Sequence, residues 1–463
     1  MFIYFVAKNM HRSRLFRFII PVIFLSFSIK LDAQLISGPM LGQVELRTAK
    51  IWVEVKPGST VDLWYWKKGE SASQKLSKSV AADQWFGTLV FDVVGLEMNT
   101  TYEYAIAVNN KSGRKPSQVD GLFTTQELWQ WRKPAPDFSF LTGSCAYFNE
   151  PIYDRPGTPY GYDSSIFETM AKEKSSFMLW LGDNWYTREP DYLSEWGLWY
   201  RASRDRSLPV LQKFLKAMPH YAIWDDHDYG PNDADKSYAL KETSRKVFMN
   251  YWGNPSYGSN QQGIYTRVSY GDCDFFLMDD RYFRSNDEMN GYAYGKPNPD
   301  KRMWGAEQME WLKNSLLQSK AVFKFIVTGS QTLNPASPYD CLQDYPIEFQ
   351  DLMGYLTAEN INGVLFLTGD RHHSEVIRYE RPNAYSLYDI TSSPLTSGVG
   401  RVGGKEKNNP ARVANTLVET QNYTRISVGG KRGERKLTIE FISIKGEKLA
   451  EWTISESALI TKP

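Results

Sequence analysis

Six short runs of this sequence are almost wholly apolar and stop abruptly on Gly or Asp, or just before Asp. They are Phe138 to Gly143, Ser176 to Gly182, Tyr221 to Trp224, Phe275 to Met278, Lys324 to Gly329 and Gly363 to Gly369. None is long enough for a membrane-spanning helix, and none alternates apolar with polar. Such runs suit strands buried on both faces, which occur where helices cover a largely parallel sheet. The stretches Ser164 to Lys172 and Ala306 to Gln318 read as helices between them, so the expected fold class is α/β in layers. A chain of 463 residues leaves room for two to three domains at roughly 150 residues each.

The segment before these runs has a different grammar. Residues 34–126 carry short alternating stretches such as Ile51-Trp52-Val53-Glu54-Val55 and Val61-Asp62-Leu63-Trp64-Tyr65-Trp66, separated by turn signals such as Pro57-Gly58. This predicts a small all-β sandwich. Within it, Gly95-Leu96-Glu97-Met98-Asn99-Thr100-Thr101-Tyr102-Glu103-Tyr104 resembles the tyrosine-corner segment of fibronectin type III domains, in which a Tyr hydroxyl ties a turn to the backbone. Residues 127–136, with Trp131, Pro134 and Pro136, read as a linker, and 137–463 as one larger domain. Near the end, the stretches Arg425 to Val428 and Lys436 to Phe441 flank Lys431-Arg432-Gly433, which reads as a hairpin closing the sheet.

Residues 1–33 read as a secretory signal peptide. Lys8, His11, Arg12, Arg14 and Arg17 precede the apolar run Phe18 to Ile29, and the small Ala33 follows. The run falls short of the ~20 residues a spanning helix needs, and no later run is longer. The expected location is therefore periplasmic or extracellular. A net charge of +1 gives no global field to draw nucleic acid or an anionic membrane. Cys145, Cys273 and Cys341 make an odd count, so an exported chain has at least one thiol with a task other than an internal disulfide.

Five strand ends carry polar groups together: Gly143-Ser144-Cys145, Gly182-Asp183-Asn184-Trp185-Tyr186, Asp225-Asp226-His227-Asp228, Asp279-Asp280-Arg281 and Gly369-Asp370-Arg371-His372-His373. Ligand sites of α/β sheets gather beyond the carboxyl ends of strands. Carboxylates, imidazoles and a carboxamide bind hard or borderline metal ions, and a thiolate adds a soft ligand. Hydrolysis of a phosphate ester needs a metal-activated water and cationic groups for the phosphate oxygens. Arg281 is expected to grip phosphate, against the alternative of an ion pair with Asp279 or Asp280. Arg284 is expected on the surface.

Taken in order, these five motifs resemble the alkaline phosphatase D family of metallophosphatases, over most of residues 138–400. The resemblance implies a four-layer αββα core and hydrolysis of phosphomonoesters and phosphodiesters at a site combining iron with calcium. It implies Cys145, Tyr186 and His372 as iron ligands, Asp183 as a bridge, and Asn232 and Asp370 as calcium ligands. Asp225 would orient or ligate nearby, with Asp226 beside it in a catalytic role, and His227 would protonate the leaving oxygen. His373 is expected to face the phosphate. The stretch Asp228-Tyr229-Gly230-Pro231-Asn232 and the doubled histidine depart from the family's usual spelling, which leaves a dinuclear zinc or manganese site open. The competing reading is a binding or adhesion protein with a degenerate enzyme core.

Overall fold

A computed structural model of the chain describes residues 35–462; the segment read as a signal peptide lies outside them. The first seven strands are β1 (Leu35–Val44), β2 (Thr48–Val55), β3 (Thr60–Lys67), β4 (Gln74–Ser79), β5 (Gly87–Val94), β6 (Thr101–Val108) and β7 (Gly121–Thr124). They form a three-stranded sheet, β1-β2-β5, and a four-stranded sheet, β4-β3-β6-β7. Alternation does the sorting: Ile51, Val53 and Val55 of β2 meet Val61 and Leu63 of β3 in a small separate core. The tyrosine corner is present, with the Glu97 N–H donating to the Tyr102 hydroxyl at 2.9 Å.

The remaining strands are β8 (Phe138–Gly143), β9 (Met178–Leu181), β10 (His220–Ile223), β11 (Thr266–Tyr270), β12 (Cys273–Leu277), β13 (Tyr292–Ala293), β14 (Lys296–Pro297), β15 (Phe323–Val327), β16 (Val364–Thr368), β17 (Glu375–Tyr379), β18 (Leu387–Thr391), β19 (Asn422–Gly429), β20 (Lys436–Ser443) and β21 (Lys448–Ser455). Two six-stranded sheets result, ordered β10-β9-β8-β19-β20-β21 and β11-β12-β15-β16-β18-β17, while β13 and β14 pair as a small ribbon. Neighbours among β8, β9 and β10 run parallel, as do those among β12, β15, β16 and β18. The six apolar runs noted in the sequence supply β8, β9, β10, β12, β15 and β16. The final hairpin does more than close an edge. Its strand β19 pairs directly with β8, and β21 extends the sheet beyond it.

The helices are α1 (Ile166–Met170), α2 (Glu189–Tyr192), α3 (Glu195–Arg206), α4 (Pro209–Ala217), α5 (Asp226–Tyr229), α6 (Lys241–Tyr251), α7 (Ala306–Gln318) and α8 (Pro346–Ala358). A strand presents successive side chains to opposite faces, and that period builds the layers. Phe275 of β12 faces the other sheet and packs edge-on against Phe140 of β8 at 5.1 Å, whereas its neighbour Phe276 faces Trp311 of α7. On the far side, Trp180 of β9 lies against Phe167 of α1 and Phe214 of α4. The order is helix, sheet, sheet, helix, as expected.

The sandwich is anchored on this body by residues of β2 that point away from its own core. Trp52 enters the large core and donates its indole N–H to Asn250 O at 2.7 Å. Glu54 is fully buried beside it, accepting from Ser203 Oγ at 2.6 Å and Tyr251 Oη at 3.1 Å, while its second oxygen has no partner. Burial pushes this carboxyl up to about 7, against the pull of those two hydroxyls and of Arg206. Below pH 4.5, its ordinary value, the group is protonated in folded and unfolded chains alike. Above it the unfolded chain ionises first, so this contribution to stability is lost as pH rises toward 7. The Glu54→Gln variant should therefore gain on the wild type across this window, by up to roughly 3 kcal/mol. Melting temperatures of both proteins between these pH limits test this; a constant gap would contradict it.

Candidate metal centre

Four strand ends deliver the site. Cys145 follows β8, Asp183 follows β9, Asp225 and the short α5 follow β10, and Asp370 to His372 follow β16 of the facing sheet. Local backbone geometry aims them. Cys145, Asp183, Asp370 and His372 all have φ between +52° and +64°, the left-handed region that costs an L-residue roughly 1–2 kcal/mol. Such residues persist only where the surroundings hold the conformation, and they cluster at functional sites in general. Here the Asp183 carbonyl accepts from Ala146 N at 2.8 Å, the Cys145 carbonyl from Ser397 N at 3.0 Å, and the His372 carbonyl from Gly400 N at 2.8 Å. Gly182 keeps β9 and β10 close, since a Cβ there would lie 2.7 Å from Asp225 Cβ.

Of four groups of candidate donor atoms among the described residues, two converge at these strand ends. In the first, Cys145, Asp183 and His372 each offer a ligand atom within 4.8 Å of the others. The Cys145 Sγ is 3.6 Å from Asp183 Oδ2, and the Tyr186 Oη is 3.4 Å from His372 Nε2. In the second, Asp183, Asp226 and His227 meet the same limit. Asp183 belongs to both. The His227 ring stacks on Tyr186 with centroids 4.1 Å apart. Asp226 is fixed by the N–H groups of Asp233, at 2.8 Å, and of His227, at 3.0 Å.

The electrostatics of this assembly favour a cation. Burial, with the Asp370 carboxylate adding to it, pushes the Cys145 thiol up to about 12. Burial and the nearby Asp226, Cys145, Asp228 and Asp370 drive Asp183 well above the usual carboxylate range. Burial, with Asp226 and Asp340 adding to it, raises Asp370 to about 6. Groups that resist ionisation only because they are dry and near one another become ligands when a metal compensates their charge. The donor chemistry fits. Thiolate, phenolate and imidazole suit iron in the first group, and carboxylates with one imidazole suit a second, harder or borderline ion.

Not every expected residue takes its expected place. Asp225 is engaged by Arg281, its Oδ1 lying 2.5 Å from the guanidinium, while its Oδ2 is buried without a partner. Arg281 is 1% exposed and also lies 3.5 Å from Asp340. Burial opposes its charge, but Asp225, Asp226 and Asp340 outweigh that and hold the guanidinium protonated. Its partner is thus neither Asp279 nor Asp280. Asp279 instead accepts from Trp224 Nε1, Ile264 N and Tyr282 N, a structural use of both oxygens. The Arg281 Nη1 has no partner. Arg284 is not on the surface: it is fully buried, paired with Asp340 and, at 2.9 Å, with Asp287. His373 does not face an opening either. It is buried with its Nε2 3.4 Å from Glu375, a buried carboxylate that also pairs with Arg412 and gives the ring an inward partner. Asn232 lies on the exposed loop of Asp233, to which its Nδ2 donates at 2.5 Å. Cys273 and Cys341 are free, buried thiols.

Two residues that sequence reasoning passed over tie the centre together. Ser393 Oγ lies 3.1 Å from Cys145 Sγ and accepts from His372 N at 3.0 Å, linking both sheets at the site. Asp228 accepts from Asp225 N at 2.7 Å and Asn184 N at 3.0 Å, joining the ends of β9 and β10. Asp228 at least stood inside a visible motif. Ser393 follows β18 without any metal-type neighbour in sequence.

Comparison with known proteins bears on the fold and the family. A family profile described as PhoD-like phosphatase matches residues 140–443, and one described as a domain of unknown function matches residues 32–123. Alkaline phosphatase D of Bacillus subtilis (strain 168) is 25% identical over 328 residues, which span 60% of this chain and 52% of that protein. The chain thus spans about half the length of that relative. A solved structure described as that of PhoD superposes with a TM-score of 0.74 at 19% identity, over 93% of this chain and 92% of that one. A purple acid phosphatase from yellow lupin (Lupinus luteus) seeds superposes with a TM-score of 0.64 at 11% identity, over 90% of this chain and 74% of that one. These likenesses show the four-layer fold.

The crowding of carboxylates carries a prediction about the metal-free protein. Asp183→Asn keeps the shape, suits the left-handed backbone, and removes one buried acid from among its like neighbours. In chelator it should raise stability by roughly 1–2 kcal/mol. Thermal melts with and without chelator test this: the variant should melt higher than the wild type in chelator and lose any metal-induced rise. A lower melting temperature in chelator would contradict the crowding argument.

Proposed function

Because the chain belongs to the PhoD-like phosphatase family, we propose that it is an exported, metal-dependent phosphoric ester hydrolase. The observation that carries the proposal is the sharing of Asp183 by two donor groups at the carboxyl ends of facing sheets. Cys145, Tyr186 and His372, with Asp183, would hold iron. Asp183 and Asp226, with Asp370 and the Asn232 loop alongside, would hold calcium; the His227 imidazole beside them makes zinc or manganese the alternative. Bound there, such a pair would polarise phosphate oxygens and lower the pKa of water.

The chain's own groups supply the rest. Asp183 and Asp226 are held by backbone N–H groups, which fix their carboxylates without reorganising. His227 is partly exposed and set on Tyr186, where an N–H can donate to a substrate oxygen. Arg281, whose unpartnered Nη1 is buried, would supply a fixed positive charge for the phosphate. Being pinned by Asp225 at 2.5 Å, it positions rather than sweeps. The substrate is a phosphate ester, monoester or diester. Export rests on the basic, apolar and small-residue order of residues 1–33, and no helix among the described residues is long and apolar enough to cross a membrane. Residues 34–126 would be an accessory fibronectin type III-like domain and 137–463 the catalytic one.

Metal analysis of the purified protein, with hydrolysis of a chromogenic phosphate monoester and diester, tests the proposal. Bound iron and turnover abolished by chelator are expected. A protein with neither metal nor turnover would return the binding or adhesion reading. Asp183→Asn should lose metal and nearly all turnover, on the order of a thousandfold or more, because its carboxylate serves both groups. Cys145→Ser should lower iron content selectively, and an unchanged iron to calcium ratio would overturn the iron assignment.

A further inference from the structure

Tyr160 stands outside every motif named so far, on the loop that follows Cys145, and the residue is 43% exposed. Its hydroxyl lies 3.1 Å from His372 Nδ1. The opposite edge of the same imidazole, Nε2, faces the Tyr186 hydroxyl at 3.4 Å. The two nitrogens therefore look in different directions, one toward the donor group and one toward Tyr160. A neutral imidazole carries one N–H. If Nε2 gives its lone pair to a metal, the proton sits on Nδ1 and needs an acceptor. The Tyr160 oxygen is the acceptor in place.

Tyr160 is held there by more than that contact. Its ring meets Tyr147 edge-on at 4.8 Å and 77°, and Tyr186 at 6.3 Å and 63°. Its loop is clipped on either side. Asn149 exchanges two hydrogen bonds with Gly161, at 2.7 and 2.9 Å, and Tyr162 N donates to Thr396 O at 2.6 Å. Gly398 leaves room for the ring, since a Cβ there would sit 3.0 Å from Tyr160 Cε2. Gly400 N in turn holds the His372 carbonyl at 2.8 Å. The segment that accommodates the tyrosine thus also carries the backbone clamp of the histidine.

We infer that Tyr160 is a positioning residue for His372: its hydroxyl accepts the Nδ1 proton and so fixes the tautomer and ring angle that present Nε2 to the metal. The inference rests on the metallophosphatase reading and adds a residue to it. Partners of this kind usually matter by about 10- to 100-fold in metal affinity. The half-exposed edge lets water replace part of the hydroxyl's role, so the effect expected here is near the lower figure, roughly tenfold.

The test uses full-length metal-loaded protein and two variants. Tyr160→Phe keeps the ring and its aromatic contacts but removes the acceptor. Gly398→Ala keeps the hydroxyl but displaces the ring. Iron retained across a chelator titration is measured by metal analysis, alongside the visible absorption of ferric iron with thiolate and phenolate ligands. Both variants should release iron at roughly tenfold lower chelator, with an altered visible band. Their melting temperatures in excess chelator should match the wild type. Iron retention and absorption of Tyr160→Phe equal to wild type would overturn this inference alone. A lower melting temperature of Tyr160→Phe in excess chelator would also overturn it, as the mark of a packing role. A wild type that takes up no iron would overturn the iron assignment itself.

Discussion

Like-charged oxygens forced together in a dry place are the constraint on which this structure depends. Asp183 is the centre of that constraint, shared between the Cys145 and His372 donors on one side and the Asp226 and His227 donors on the other. Protein atoms relieve the crowding only in part: against its burial, Asp226 is held below the usual carboxylate range by His227 and Arg281, but burial and neighbouring acids push Asp183 up, and the Cys145 thiol is pushed up to about 12. A fold that keeps such a cluster must hold it with rigid elements. The left-handed backbone at Cys145, Asp183, Asp370 and His372 stores strain, and the backbone hydrogen bonds around each turn offset it.

The rest of the architecture provides that rigidity. The parallel neighbours β8, β9 and β10 place three turns side by side, and β16 brings a fourth from the facing sheet. Phenylalanines interlock the sheets: Phe140 meets both Phe275 and Phe325 across the interface. Ser393 then bridges the sheets at the mouth, touching Cys145 and His372 together. The buried ion pairs behind the site follow the same logic. Arg281 with Asp225, and Arg284 with Asp287 and Asp340, neutralise acids close to the two groups that share Asp183. The sandwich at the front is no loose appendage, because Trp52 and Glu54 turn from its second strand into the larger core.

Much of the site was legible because its chemistry is concentrated in short contiguous motifs. Cys145, Asp183, Asp226, His227 and His372 stand at strand ends where the apolar runs stop, and strand ends of parallel sheets converge. The misreadings share one cause. Arg284 was expected outside and is fully buried, because a guanidinium can be buried where Asp287 and Asp340 meet it, and those partners lie far away in sequence or unmarked. His373 was read as an outward group, yet Glu375 draws it inward. Strands β17 and β18 and the serine after them went unread for a similar reason: nothing local marks Ser393 as a neighbour of Cys145, 248 positions earlier.

The sequence by itself determined the layers, the tyrosine corner, the strand-end donors and the expectation of a metal, because each follows from local periodicity or from side-chain chemistry within a few residues. Only the tertiary structure decided which donors share a group, that Asp225 pairs with Arg281, and that Tyr160 meets His372. Those choices depend on the direction of a side chain at a turn and on partners brought in from distant strands. Periodicity can say that a residue lies at a strand end, but a rotation of one turn by one residue exchanges a ligand for a buried ion-pair partner.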